Sequence, residues 1–281
     1  MVMKNLVERA CNKLIRHTEW YEQYWSGVQK FWYLNRFNLD VVNLGSNSGK
    51  YAFRYDGLGI AGMNWAVGPQ SLLHDFNILK NYFSYLKTGA FVIVTLCPFS
   101  SLVSLYDKEA NLKYYTFLHP ATISNFDENE RMRALKIKQS PIKEMPWHCI
   151  KSTLKEVVKY VMYKPTYKCD MEKNSILFID SWKKQFGITD LDAPLSDQHS
   201  KDQENRIQVL KDLISFCMER ELNPVLAIPP VHSSLGKKLT KVFRENYIHS
   251  FVRRANEHNV PFLAYLEYKR LGEDNCFLNS F

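Results

Sequence analysis

Residues 90–96, AFVIVTL, constrain the fold more than any other stretch, because seven apolar or β-branched residues follow one another between Gly89 and Cys97-Pro98. A strand with one wet face alternates polar and apolar positions. A strand apolar on both faces belongs in the middle of a parallel sheet, with helices above and below it. Residues 39–44 (LDVVNL), ending at Gly45, and 225–228 (VLAI) have the same character. A second short strand is expected between Gly57 and Ala66, and a last one at 261–266. Helical spacing fills the gaps. Leu72, Phe76, Leu79 and Phe83 line one face of a helix over 69–87, with Pro69 in its first turn and Gly89 as its stop. Ile207, Leu210, Ile214 and Cys217 line a helix that begins at a capping pattern over 200–203 and reaches about Leu222. Another helix is expected over 237–257. The order β-β-α-β-insertion-α-β-α-β predicts an α/β fold: a parallel sheet, helices on both faces, right-handed crossovers.

The rest of the chain divides around that core. Residues 1–36 read as an N-terminal helical segment, with helix over 3–34. Its rings include Trp20, Tyr21, Trp25, Phe31 and Trp32. Buried, they would lock the segment to a domain. Left in water beside Lys and Arg, they would form an interfacial or partner-binding face. Residues 37–281 read as the α/β domain, carrying a less regular insertion at about 102–199 with a helix at 152–163. That insertion is either a lid over the sheet's carboxyl edge or a structural elaboration.

The formal charge is +8, which suits anionic partners in general. No dense basic tract is present, so nucleic acid is not the expected partner. The six cysteines form no C-x-x-C pair, and scattered thiols suit a reducing compartment. Lys4, Glu8, Arg9 and Lys13 interrupt any signal-peptide core, and no run reaches the length of a membrane span. The expectation is a cytoplasmic chain, soluble or peripheral to a membrane. With no H-x-x-x-H or H-E-x-x-H spacing, no metal is expected, and no cofactor. Dinucleotide and P-loop fingerprints are absent too, which argues against a nucleotide-binding enzyme; Asp190 and Asp192 match a sugar-nucleotide metal pair by letter only.

In parallel α/β sheets, ligands bind beyond the carboxyl ends of the strands. That rule selects three loops: 45–49, 97–101 and 229–234. They carry Ser46, Asn47, Ser48, Ser100, Ser101, His232, Ser233 and Ser234. Such serines either serve chemistry or cap turns and bind anions through loop amides.

The stretches 43–51 (NLGSNSGKY) and 62–71 (GMNWAVGPQS) resemble the SGNH (GDSL-like) hydrolase superfamily, in a divergent branch met among bacterial surface-polysaccharide genes. The resemblance covers residues 38–100 well and rests on element order from residue 200 onward. It implies a three-layer, flavodoxin-like (SGNH-type) sheet. It also implies an esterase or O-acyltransferase acting on a bacterial polysaccharide or its precursor. An acylated glycan or small ester would be the substrate, and a membrane surface or polysaccharide-assembly protein the partner. By that resemblance Ser46 or Ser48 is the nucleophile and His232 a replacement base. Gly45, Asn47, Asn64 and Ser100 then supply oxyanion or substrate contacts. The strict nucleophile position, two after Gly45, holds Asn47. The superfamily's closing Asp-x-x-His block falls near 277–281, where Asn279 stands at the Asp position and no histidine follows. The alternative is a catalytically degenerate relative that binds a glycan or an assembly partner.

Overall fold

The computed structural model describes residues 2–103, 111–162, 170–266, 268, 271–272 and 277. Asn279 lies outside them. The chain divides into two compact units, residues 37–104 with 167–281 and residues 1–36 with 105–166.

The larger unit is α/β. Strands β1 (Leu39–Leu44), β2 (Gly62–Asn64), β3 (Leu86–Thr95), β4 (Asn223–Ile228) and β5 (Phe262–Ala264) form one sheet in the order β2-β1-β3-β4-β5. Every pairing is parallel. This is the three-layer, flavodoxin-like arrangement, whose chain reverses direction across the sheet between β1 and β3. Val42, Leu44, Val92, Val94 and Leu226 are fully buried in it. Phe91, midway along β3, is half exposed, so that strand is largely buried on both faces only from Val92 onward.

Helix α4 (Asn47–Ala52) follows β1, and α5 (Leu72–Tyr82) connects β2 to β3. Helices α9 (Met171–Phe186) and α10 (Asp197–Met218) precede β4. Short helices α11 (Ser233–Gly236), α12 (Lys241–Arg244) and α13 (Ser250–Ala255) precede β5. The connections β2→β3, β3→β4 and β4→β5 all run the same way across the sheet. Right-handed crossovers therefore put α5, α10 and α13 on one face, where α10 packs against both of the others.

Several boundaries differ from the sequence expectation for identifiable reasons. Gly89 does not stop a helix. It lies inside β3 at φ 75°, where the register against β1 shifts, and its carbonyl accepts from Asn223 Nδ2 at 2.7 Å. Helix α10 starts at Ser196, whose hydroxyl accepts from the His199 N–H, four residues before the expected cap. The helix expected over 237–257 is broken by a π-helical turn at Glu245–His249.

The smaller unit is helical: α1 (Val2–Ile15), α2 (Glu19–Tyr24), α3 (Gln29–Trp32), α6 (Glu128–Gln139), α7 (Pro141–Glu144) and α8 (Pro146–Met162). The expected single helix over 3–34 is interrupted because Thr18 caps α2, accepting from Tyr21 N–H and donating to Ile15 O at 2.7 Å. Tyr21 and Trp25 are buried with Ile15, Leu112, Ala134, Ile137, Met145 and Cys149. Phe31 stacks on Phe117, and the Lys138 ammonium lies over the Trp32 ring. Most of the N-terminal rings are thus core; Tyr33 alone of that cluster is largely exposed. No helix among the described residues is long and apolar enough to cross a membrane.

Candidate functional site

The carboxyl ends of β1 and β3 lie side by side, and the turn after β1 is built against β3. Gly45 has φ 125°, a conformation side chains disfavour. A Cβ there would meet Thr95 O at 2.7 Å, so only glycine lets the two strand ends approach this closely.

A buried carboxylate holds the turn from below. Asp75, in the first turn of α5, is 2% exposed. Its Oδ1 accepts from Gly45 N–H at 2.7 Å and from Gln70 Nε2. Gln70 Nε2 also donates to Gly45 O at 3.1 Å, and Gln70 N–H donates to Ser46 Oγ at 3.2 Å. Burial pushes the Asp75 carboxyl up to about 7, although the bonds from Gly45 and Gln70 pull the other way. Sequence reasoning missed Asp75. The available signal was an acidic residue on the apolar stripe of α5, between Leu72 and Leu79.

The expected site residues take these places. Ser46 is the residue before α4, and its hydroxyl is engaged by the Gln70 amide. Asn47 is exposed, with its Oδ1 so close over Gly68 that a Cβ at that position would overlap it. Ser48 Oγ is buried and has no hydrogen-bond partner among the described residues. An unpaired buried hydroxyl costs about 1–3 kcal/mol. Asn64 donates to the carbonyls of Gly49, Lys50 and Phe53 at 3.0–3.1 Å and accepts from Asn43 Nδ2 and Ala66 N–H. Its amide clamps the carboxyl end of α4 and has no donor left for an oxyanion. Ser100 Oγ accepts from Cys97 N–H at 2.8 Å and closes the turn after β3. Burial raises the Cys97 thiol above its ordinary value.

His232 is 5% exposed and caps α11. Its Nδ1 accepts from Ser234 N–H and lies 2.8 Å from Ser234 Oγ, which is 2.6 Å from Ser175 Oγ. A second serine–histidine contact joins Ser71 Oγ to His74 Nδ1 at 2.9 Å. Both pairs are local, formed at the start of a helix by residues two or three apart; a third, exposed pair joins Ser215 Oγ on α10 to His258 Nε2 at 3.2 Å.

All eight histidines are among the described residues, and none hydrogen-bonds Ser46 or Ser48. The structure therefore pairs neither rim serine with an imidazole. Among the described residues no three metal-ligating side chains gather. A cleft of about 370 Å³ lies at the opposite, amino end of β3 and β4, bordered by Lys87, Glu219 and Arg220. It adjoins none of the expected residues.

Compared with protein-family models, curated proteins and solved structures, the chain matches none.

Proposed function

We propose that the α/β unit is a degenerate SGNH-like domain that binds an acylated glycan, or its precursor, at the carboxyl rim of its sheet without hydrolysing it. One observation carries this reading: the groups that would do ester chemistry are committed elsewhere. Ser46 Oγ is held by Gln70, Gly45 N–H by Asp75, the Asn64 amide by three carbonyls and the His232 ring by Ser234. A nucleophile needs a base within hydrogen-bond reach, and an oxyanion needs unspent donors. Asn47, at the strict nucleophile position, is left facing solvent as an amide suited to sugar hydroxyls.

The test uses an O-acetylated oligosaccharide and p-nitrophenyl acetate. Saturation-transfer NMR should show the oligosaccharide in contact with the protein, contact should weaken in Asn47→Ala, and neither ester should be consumed. Turnover that disappears in Ser46→Ala or Ser48→Ala would overturn the reading.

The hydrolytic alternative, an esterase or O-acyltransferase, keeps one observation in its favour. Ser48 Oγ, like Ser101 Oγ in the turn after β3, is a rim hydroxyl that no internal bond has claimed. Turnover lost in Ser48→Ala alone would select it.

A further inference from the structure

Helix α8 is turned inside out. On an ordinary surface helix the apolar stripe faces the core and the polar face meets water. Here Cys149 and Ser152 are buried at 1% and 8% exposure, and Glu156, beside them on the wheel, accepts a hydrogen bond from Glu19 N–H at 3.2 Å. The side chains left in water are Trp147 (76% exposed), Ile150 (44%), Leu154 (59%), Val157 (54%) and Val158 (51%). Trp147, Ile150, Leu154 and Val157 follow at spacings of three, four and three residues, and Val158 lies four after Leu154, so all five share one face. Lys151 and Lys155 are exposed along its edge, the latter paired with Glu19 at 3.2 Å across a solvent-facing contact.

Charge gathers on the same unit. Residues 1–36 and 105–166 hold 17 Lys and Arg against 10 Asp and Glu, a net +7. The α/β unit holds 20 against 19, a net +1. Almost all of the chain's basic excess therefore belongs to the helical unit that bears the apolar face.

We propose that the helical unit docks on an anionic lipid surface, with Trp147, Ile150, Leu154, Val157 and Val158 entering the headgroup–acyl boundary and flanking lysines meeting the lipid charge. The two features together select this occupant. A nucleic acid would use the charge but leave the apolar stripe in water. A second copy would use the stripe but bring two net +7 units together. An anionic bilayer uses both, as interfacial amphipathic helices do. The buried rings of residues 20–32 take no part; the interfacial role belongs to α8.

The full chain is mixed with sedimentable phosphatidylcholine vesicles, with and without about a quarter phosphatidylglycerol, in about 0.1 M salt. The expected result is binding at least about tenfold tighter to the anionic vesicles. Leu154→Glu with Val158→Glu should reduce that binding by about tenfold or more, with circular dichroism unchanged because both positions are exposed. Lys151→Glu should reduce it about severalfold and in a salt-dependent way. Trp147→Phe should abolish a blue shift of tryptophan emission that vesicles induce in the unaltered chain. Three results would overturn the proposal: no preference for anionic vesicles, full binding by the folded double variant, or a lipid-independent dimer in the ultracentrifuge that the double variant dissolves.

Discussion

The turns after β1 and β4 look alike in sequence and are held in different ways. Each leaves a buried strand, carries serines and leads into a short helix. The β4 turn is held by its own histidine and by neutral partners: His232 caps α11 and binds Ser234, whose hydroxyl also meets Ser175 Oγ and donates to Met171 O. The β1 turn is closed from a distance, by Asp75 thirty residues along the chain and by Gln70. Hydroxyls at a sheet rim thus report turn closure as readily as chemistry, and what distinguishes the two turns is the buried carboxylate under one of them.

The largest effect should come from Gly45→Ala. The added methyl forces both a positive φ and a 2.7 Å approach to Thr95 O, so a loss of about 4 kcal/mol or failure to fold is expected. Ser233→Ala, at an exposed position of the β4 turn, should stay within about 0.5 kcal/mol. Urea unfolding of the two variants checks the contrast.

Asp75 should give the β1 turn its own pH dependence. The folded carboxyl titrates near 7 and the unfolded one near 3.8. Between these values the folded state keeps a proton that the unfolded chain releases. Stability should therefore fall as pH rises from about 4 to about 7, by up to about 4 kcal/mol, and then level off. Asp75→Asn keeps an acceptor for Gly45 and cannot ionise, so it should flatten this slope and be the more stable protein at pH 8. Unfolding free energies of both proteins across that range measure it; an unchanged slope would show that the carboxylate is not what titrates.

A smaller effect separates neighbouring serines. Ser46→Ala removes the acceptor of the Gln70 N–H and should cost about 1 kcal/mol. Ser48→Ala removes a buried hydroxyl with no partner and should be neutral or stabilising by up to about 1 kcal/mol. Smallest of all, His232→Asn should hold stability within about 0.5 kcal/mol because asparagine also caps, whereas His232→Ala should lose about 1 kcal/mol. Thermal melts resolve both pairs.

The sheet was readable because each strand is a short buried run and each crossover helix shows its apolar face. Leu39–Leu44 matches to the residue, and the 225–228 run lies within β4. The helix at Glu128–Gln139 was not readable, because its polar and apolar residues do not sort by turn, and Met171–Phe186 was missed although Phe178, Trp182 and Phe186 recur at helical spacing. Nor did sequence show that residues 105–166 pack in one unit with the N-terminal segment, since that grouping depends on contacts more than a hundred residues apart, such as Asn12 to Ser140. At the rim, sequence found the right loops and could not say which groups were already committed. Asn64 reads as a free amide until its three carbonyl partners are in place.

The account turns on whether a rim serine is a nucleophile, and intact-protein mass spectrometry after treatment with a fluorophosphonate measures that directly. The structure predicts an unshifted mass, because neither Ser46 nor Ser48 meets an imidazole. A single stoichiometric adduct that vanishes in Ser48→Ala or Ser46→Ala would contradict it.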